Sequence, residues 1–282
     1  MHLFITGATG FVGSSVLRAA RHAGHRVTAL RRPGSLSRVD PPEHVQWIDA
    51  ALDSDLTEYL IGVDCLVHLA AHTPNLPYAP LDECLYWNVF ASAKLIQAAA
   101  AAGVVDFLVA GTCFEYGLAA DGQALIHPGS ELRPVLTYPV SKASASIALL
   151  GLARHLGLRM QLLRIFQVFG EGEAAGRFWP SLRHAAIGGA DFPMSAGVQI
   201  RDFVDVADVA AQFVSALDFA KVTRGRPQIR NIGSGQPSSL LEFAQHWWRH
   251  WGATGRLMPG SVGLRPGEPA RLVPNVVDIH FG

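Results

Sequence analysis

An apolar run, Leu3-Phe4-Ile5, leads straight into Thr6-Gly7-Ala8-Thr9-Gly10-Phe11-Val12-Gly13, and this junction constrains the fold more than any other stretch. A helix-compatible run continues to Ala23, Gly24 caps it, and Val27–Leu30 reads as a second strand. Three glycines spaced three apart let the backbone turn tightly, approach a pyrophosphate closely and seat the helix on the sheet. The helix start meanwhile offers free N–H groups to negative charge. Strand, glycine turn, helix and strand within about 30 residues predict a dinucleotide-binding βαβ unit rather than ordinary turn glycines. Gly7, Thr9, Gly10, Phe11 and Val12 are the expected contacts.

The spacing G-x-x-G-x-x-G, with Thr6 ahead of it, resembles the short-chain dehydrogenase/reductase superfamily, in its extended branch acting on nucleotide-linked sugars, the NAD-dependent epimerase/dehydratase family. The resemblance implies an α/β chain with a Rossmann-type, doubly wound parallel sheet and a smaller C-terminal substrate-binding domain. It assigns residues 1–165, joined again by 203–233, to the dinucleotide-binding domain, and 166–202 and 234–282 to the substrate domain. A chain of 282 residues, 49% hydrophobic and 16% charged, can bury the core that this requires.

With 23 basic and 23 acidic side chains the formal net charge is zero, so no electrostatic footprint for nucleic acid or an anionic membrane is visible. Cys65, Cys84 and Cys113 lie in apolar or motif segments, as reduced thiols of a cytosolic protein would. No charged-then-apolar leader and no apolar run of about 18 residues occurs, and a cytoplasmic location is expected. His246 and His250 share a helical face without an acidic or cysteine neighbour, so no metal site is expected.

Arg31 and Arg32 stand at the tip of the second strand. A carboxylate there would hydrogen-bond a ribose 2′-hydroxyl, whereas guanidinium groups suit a 2′-phosphate, and NADP(H) is the expected cofactor. After the third strand, Val45–Ile48, relatives usually carry an Asp-Leu pair near the adenine. Here Ala51-Leu52 occupies that place, leaving the contact to the Leu52 backbone or to Asp49 or Asp53. The strand Asp64–Leu69 ends in His68-Leu69-Ala70-Ala71, similar to the family's H-L-A-A segment, which implies that Leu69, Ala70 and Ala71 lie against the cofactor; His68 reads as a packed strand histidine. Thr73 and Asn75, in the proline-broken loop His72–Pro80, are placed to touch substrate. One helix is expected over Leu81–Ala102, and with the Ala-rich helix Ala143–Leu156 it would form a four-helix homodimer interface or simply pack on the sheet.

The strand Val104–Ala110 delivers Gly111-Thr112-Cys113-Phe114-Glu115-Tyr116-Gly117, and Tyr138-Pro139-Val140-Ser141-Lys142 follows. A Tyr and a Lys four apart on a helix share a face, so the ammonium lies beside the phenol. A phenol titrates near ~10. Positive charge from Lys142, and from an oxidised nicotinamide, favours phenolate and brings Tyr138 nearer the range where proton transfer is efficient. Thr112 fixes the substrate oxygen. Thr112, Tyr138 and Lys142 are the candidate catalytic residues.

Further segments extend the resemblance over most of the chain. Arg164-Ile165-Phe166-Gln167-Val168-Phe169-Gly170 is similar to the family's L-R-x-x-N-x-x-G segment, with Gln167 in place of Asn, and it implies Ile165 at the cofactor and Gln167 at the substrate. Arg201-Asp202-Phe203-Val204 matches the R-D-F-V signature, whose Arg grips the diphosphate in relatives; a surface ion pair is the competing reading. Phe114, Arg177 and Arg265 are the remaining substrate candidates. Ser239-Leu240-Leu241-Glu242 is a capping box, and Trp247, Trp248 and Trp251 beyond it read as core rather than as a base-stacking platform.

Within the family, 4,6-dehydratases need an Asp-Glu pair after the Thr, and Cys113-Phe114 replaces it. The arginines at the second strand point to a cofactor that exchanges with solvent. The expected function is therefore NADPH-dependent reduction of a nucleotide-activated 4-keto-6-deoxyhexose, with a nucleotide-sugar epimerase as the alternative and a non-catalytic NADP(H)-binding sensor as the alternative of another class.

Overall fold

A computed structural model describes residues 1–72, 75–264, 269–276 and 279–280. Strands β1 (His2–Thr6), β2 (Arg26–Arg31), β3 (Val45–Asp49), β4 (Cys65–His68), β5 (Asp106–Thr112), β6 (Arg159–Ile165) and β7 (Gln228–Ile232) form a seven-stranded parallel sheet, and β8 (Ile279–His280) joins β7 antiparallel. The order is β8-β7-β6-β5-β4-β1-β2-β3. Winding therefore reverses between β1 and β4, and a crevice opens beyond the carboxyl ends of these strands, where open α/β sheets bind ligands.

The helices are α1 (Phe11–His22), α2 (Thr57–Leu60), α3 (Leu81–Leu85), α4 (Ser92–Ala101), α5 (Thr137–His155), α6 (Phe178–Gly188), α7 (Val206–Ser215) and α8 (Leu240–His250). On one face of the sheet, Val16, Leu17 and Ala20 of α1 and Val209, Ala210 and Phe213 of α7 cover Leu3, Ile5 and Val27. On the other, Leu95, Ile96 and Ala99 of α4 and Leu149 and Ala153 of α5 cover Phe4, Leu66 and Phe107. Coverage on both faces is why β5 is buried along its whole length and reads as a continuous apolar run.

A separate apolar cluster joins Leu182 and Ala186 of α6 to Ala244 and Trp248 of α8. Around it Phe169, Trp179, Phe243, Trp247 and Trp251 meet at ring-centroid distances of 5.1 to 6.3 Å. The tryptophans are thus packed between helices. Helix α8 opens with the expected capping box: Glu242 N–H donates to Ser239 Oγ at 3.1 Å and Ser239 N–H to Glu242 Oε2 at 2.7 Å. Among the described residues no helix is long and apolar enough to cross a membrane.

The expected single helix over Leu81–Ala102 is corrected: a π-helical turn, Tyr86–Ala91, separates α3 from α4. Ser92 Oγ donates to the Trp87 carbonyl at 3.2 Å, and Asn88 gives its side chain to other segments. The wide turn is invisible to apolar periodicity, which continues on either side of it. It brings Trp87 and Asn88 to the crevice, a frequent use of π-turns.

Candidate active site

Two glycines make the β1–α1 turn possible. Gly7 has φ +71°, and a Cβ on it would lie 2.6 Å from the Ala70 nitrogen; a Cβ on Gly13 would lie 2.0 Å from the Gly7 carbonyl oxygen. The turn therefore abuts the end of β4, and α1 starts hard against the turn. A buried polar strut fixes this arrangement. Thr6 Oγ1 and His68 Nδ1 are 2.8 Å apart, His68 Nε2 and Ser92 Oγ 2.9 Å, and Ala70 N–H donates to Thr6 Oγ1 at 3.3 Å. Burial, helped by the charge of Lys142, holds the His68 pKa down to about 3, so the ring is a neutral spacer between β1, β4 and α4.

The result is a cleft of about 710 Å³ with Gly7, Thr9, Gly10, Phe11 and Val12 on one wall and Leu69, Ala70 and Ala71 on the other. Close backbone, no side chain in the way and a helix N-terminus facing in fit a nicotinamide dinucleotide's pyrophosphate. At one end lie Arg31, Arg32, Arg38, Ala51 and Leu52. Arg31 is already engaged. It binds Asp49 through Nε at 2.8 Å and Nη2 at 3.0 Å and lies over the Trp47 ring at 5.2 Å. Asp53 is also engaged, accepting from Tyr86 Oη at 2.7 Å. Arg38, whose N–H donates to the Thr9 carbonyl at 3.1 Å, was marked by no sequence motif.

Thr112, Tyr138, Lys142 and Ile165 line the opposite end. Helix α5 begins at Thr137, so Tyr138 and Lys142 occupy successive turns of one face. Lys142 Nζ donates to the Ala110 carbonyl at 2.8 Å, and the Tyr138 ring lies 5.4 Å from that of Tyr78. The expectation that Lys142 makes the phenol acidic is corrected for the ligand-free protein. Burial, and then the negative charge of Glu115, push Tyr138 up, while burial pushes Lys142 down. A cationic ring in the cleft would oppose the first effect and reinforce the second.

Behind Thr112 sits an ion pair that the sequence did not disclose. Glu115, fully buried, accepts from Thr112 N–H at 2.8 Å, Ser146 Oγ at 2.6 Å and Arg164 Nε at 2.8 Å. Arg164 also donates to Tyr116 Oη at 3.1 Å and to the Pro128 carbonyl at 2.9 Å, and Tyr116 Oη donates to Asn231 at 2.6 Å. This network clamps the short 3-10 turn after β5, so Thr112 stands at a fixed height. Asn88 performs a similar task across the cleft, accepting from His72 N–H at 2.7 Å and donating to Ser141 Oγ at 2.9 Å, which in turn bonds the Tyr138 carbonyl. Cys113, buried in the turn, has its thiol pushed up to about 12 and is chemically quiet.

Phe114, Asn75, Gln167 and Arg177 complete the lining on the side away from the glycine turn, together with His72, Glu83 and Glu173. Arg201 is not among the described residues that line the cleft. Its buried guanidinium donates to the carbonyl of its neighbour Ile200 at 2.8 Å and to the Pro269 carbonyl at 2.9 Å. Its charge is nonetheless felt by Cys113 of the cleft lining. Asp202 beside Arg201 holds the Ser234 hydroxyl and N–H, so the competing surface ion pair is absent from the described residues. Thr73 and Arg265 lie outside the described residues.

Residues 3–233 match the NAD dependent epimerase/dehydratase family. Over 97% of its length the chain is 27% identical to a UDP-glucose 4-epimerase of Corynebacterium glutamicum, covering 87% of that protein. It is 29% identical over 86% of its length to a dTDP-glucose 4,6-dehydratase of Streptomyces griseus, of which it covers 76%. Among solved structures, MoeE5 in complex with UDP-glucuronic acid and NAD superposes with a TM-score of 0.82 at 27% identity, over 98% of this chain and 90% of that one.

Proposed function

This chain belongs to the NAD dependent epimerase/dehydratase family, and we propose that it is a nucleotide-sugar 4-epimerase working with a nicotinamide dinucleotide held along the glycine turn. The observation that carries this reading is the meeting of Thr112, Tyr138 and Lys142 at the end of a cleft whose other walls are the glycine turn and Ala70-Ala71. When bound, the dinucleotide would supply a hydride acceptor for the sugar C4 that gives the hydride back to the keto sugar and so ends each turnover as it began. Tyr138 takes the proton of the sugar C4 hydroxyl as the carbon is oxidised and returns it when the opposite face is reduced. Lys142 keeps the phenolate charge balanced, and Thr112 holds the oxygen between its own hydroxyl and the phenol. Phe114, Gln167 and Arg177 bound the sugar and diphosphate. Residues 1–165 with 203–233 serve the dinucleotide, and 166–202 with 234–282 the nucleotide-sugar.

The 4-epimerase among the relatives supports inversion over the one-way reduction expected from the sequence. The buried, high-pKa Cys113 and the apolar Phe114 supply no acid pair for dehydration. A second reading, reduction of a 4-keto sugar by NADPH, is favoured by one observation. Arg32 and Arg38 line the ribose end with no carboxylate partner among the described residues. Helices α4 and α5, with the π-turn, also carry exposed Phe90 (60%) and Ile147 (67%), and we assign this face to a homodimer contact.

The test is to identify the dinucleotide carried by the purified protein and then to follow UDP- and dTDP-hexoses by NMR. C4 inversion without net change in NADPH absorbance is the expected result. Stoichiometric NADPH loss only with a keto-sugar nucleotide would select the second reading, and neither reaction would leave a sensor.

A further inference from the structure

Glu173 belongs to the part of the cleft wall whose chemistry the reaction above does not use. It sits between β6 and α6, with only 5% of its side chain exposed, although it lines the cleft. Its Oε1 accepts a single long bond, 3.4 Å, from Arg177 Nε, and its Oε2 is buried without a partner among the described residues. A buried oxygen left unpaired is costly, and such groups in native proteins call for a reason. Arg177 gives the reason its direction. It is the N-cap of the eleven-residue helix α6, whose first turn carries no acidic residue, so helix dipole and guanidinium favour an anion at the same place. Because Glu173 takes Nε, the two terminal nitrogens of the fork remain for a diphosphate.

We propose that Glu173 is a positioning residue for Arg177: it holds the guanidinium by Nε towards the cleft and takes a proton from solvent when a nucleotide-sugar diphosphate claims Arg177. This rests on the nucleotide-sugar reading above. With Glu173 ionised, the pair is neutral and attracts a dianion weakly; with Glu173 protonated, the full charge of Arg177 faces the ligand. Burial, opposed by Arg177, raises the carboxyl to about 7, so the exchange falls near neutral pH. The other charged or titratable groups around this turn, among the described residues, are Tyr138 on α5, which feels the charge of Arg177, Arg38, whose Cβ lies 3.5 Å from where a Cβ on Gly172 would be, Asp205, whose Oδ2 lies 3.6 Å from where a Cβ on Gly170 would be, and Glu171, 3.9 Å from Arg18. None of them contacts the carboxylate.

Calorimetric titration of the whole protein with UDP-glucose and dTDP-glucose, in buffers of different ionisation enthalpy, tests this, because a sugar diphosphate diester does not itself titrate near neutrality. The wild type should take up a fraction of a proton on binding at pH 7.5, and its Kd should weaken by up to about tenfold per pH unit above neutrality, the limit for one linked proton. Glu173→Gln should bind without proton uptake and with a flat pH profile, and Glu173→Ala should repeat that result, with melting curves checking that both variants are folded. A pH slope and proton uptake that persist in both variants overturn the inference alone. Wild-type protein that binds neither sugar nucleotide overturns the reading beneath it, and the inference with it.

Discussion

Arg31 and Asp49 stand opposite each other in the register of β2 and β3, and their side chains close a two-point ion pair at 2.8 and 3.0 Å. The arginine that would be expected to bind a 2′-phosphate is thus already paired with a carboxylate and laid over Trp47. Phosphate preference should therefore rest on Arg32 and Arg38. Replacing both by Ala should weaken NADPH binding by about tenfold or more, the scale of one lost charge-assisted hydrogen bond, and leave NADH binding unchanged. Fluorescence titration with both dinucleotides checks this, and equal losses for the two would refute it.

Tyr138→Phe should lower turnover by at least about 100-fold, the usual contribution of a positioned proton donor, while dinucleotide binding stays as in the wild type. The ring keeps its place against Tyr78, so only the hydroxyl is removed. Retained turnover would transfer the proton step to another group.

Glu115→Ala should cost about 3–5 kcal/mol in urea denaturation, because it strands a buried Arg164. The same change frees Thr112 N–H and Ser146, so any residual activity should show a larger loss in kcat than in KM. A stability loss below about 1 kcal/mol, the scale of an exposed pair, would mean that the network is not as dry as its burial indicates.

His68 has a folded-state pKa near 3 against an ordinary 6.5, so between those values the unfolded chain binds the extra proton. Its contribution to stability is fully present above about pH 6.5 and is lost progressively as the pH falls towards 3. Urea midpoints taken from pH 7.5 to 4.5 should decline, and His68→Gln should make that decline shallower. An unchanged slope would place the acid sensitivity elsewhere.

If the exposed face of Phe90 and Ile147 is a dimer contact, the wild type should sediment as a dimer. Phe90→Asp combined with Ile147→Asp should then give a folded monomer. A monomeric wild type would refute the assignment.

The β1–α1 turn and the Tyr138–Lys142 pair were legible because both are local: glycine spacing and a four-residue helical interval carry their geometry within themselves. Arg201 could not be read that way. Its partner Pro269 comes to it only when distant segments assemble, and the same side chain that could grip a diphosphate also binds that carbonyl. The pairing of Arg31 with Asp49 depends on strand register, and that of Glu115 with Arg164 on bringing the turn after β5 against β6, which no single window spans. Glu173 lay in a glycine-rich turn just after a strand, a position that could have marked it, but its burial and its hold on Arg177 are properties of the folded turn.

The apolar stripe of α1 has its cover in α7, far along the chain. On a ribosome, the nucleotide-binding turn is made long before α7: Val16, Leu17 and Ala20 can lie on Leu3, Ile5 and Val27 at once, but the side of α1 that α7 covers stays bare until Val206–Ser215 has emerged. A nascent or prematurely terminated chain lacking that helix would present a greasy surface to chaperones and proteases, so quality control of this enzyme should be most demanding in the interval between synthesis of α1 and of α7.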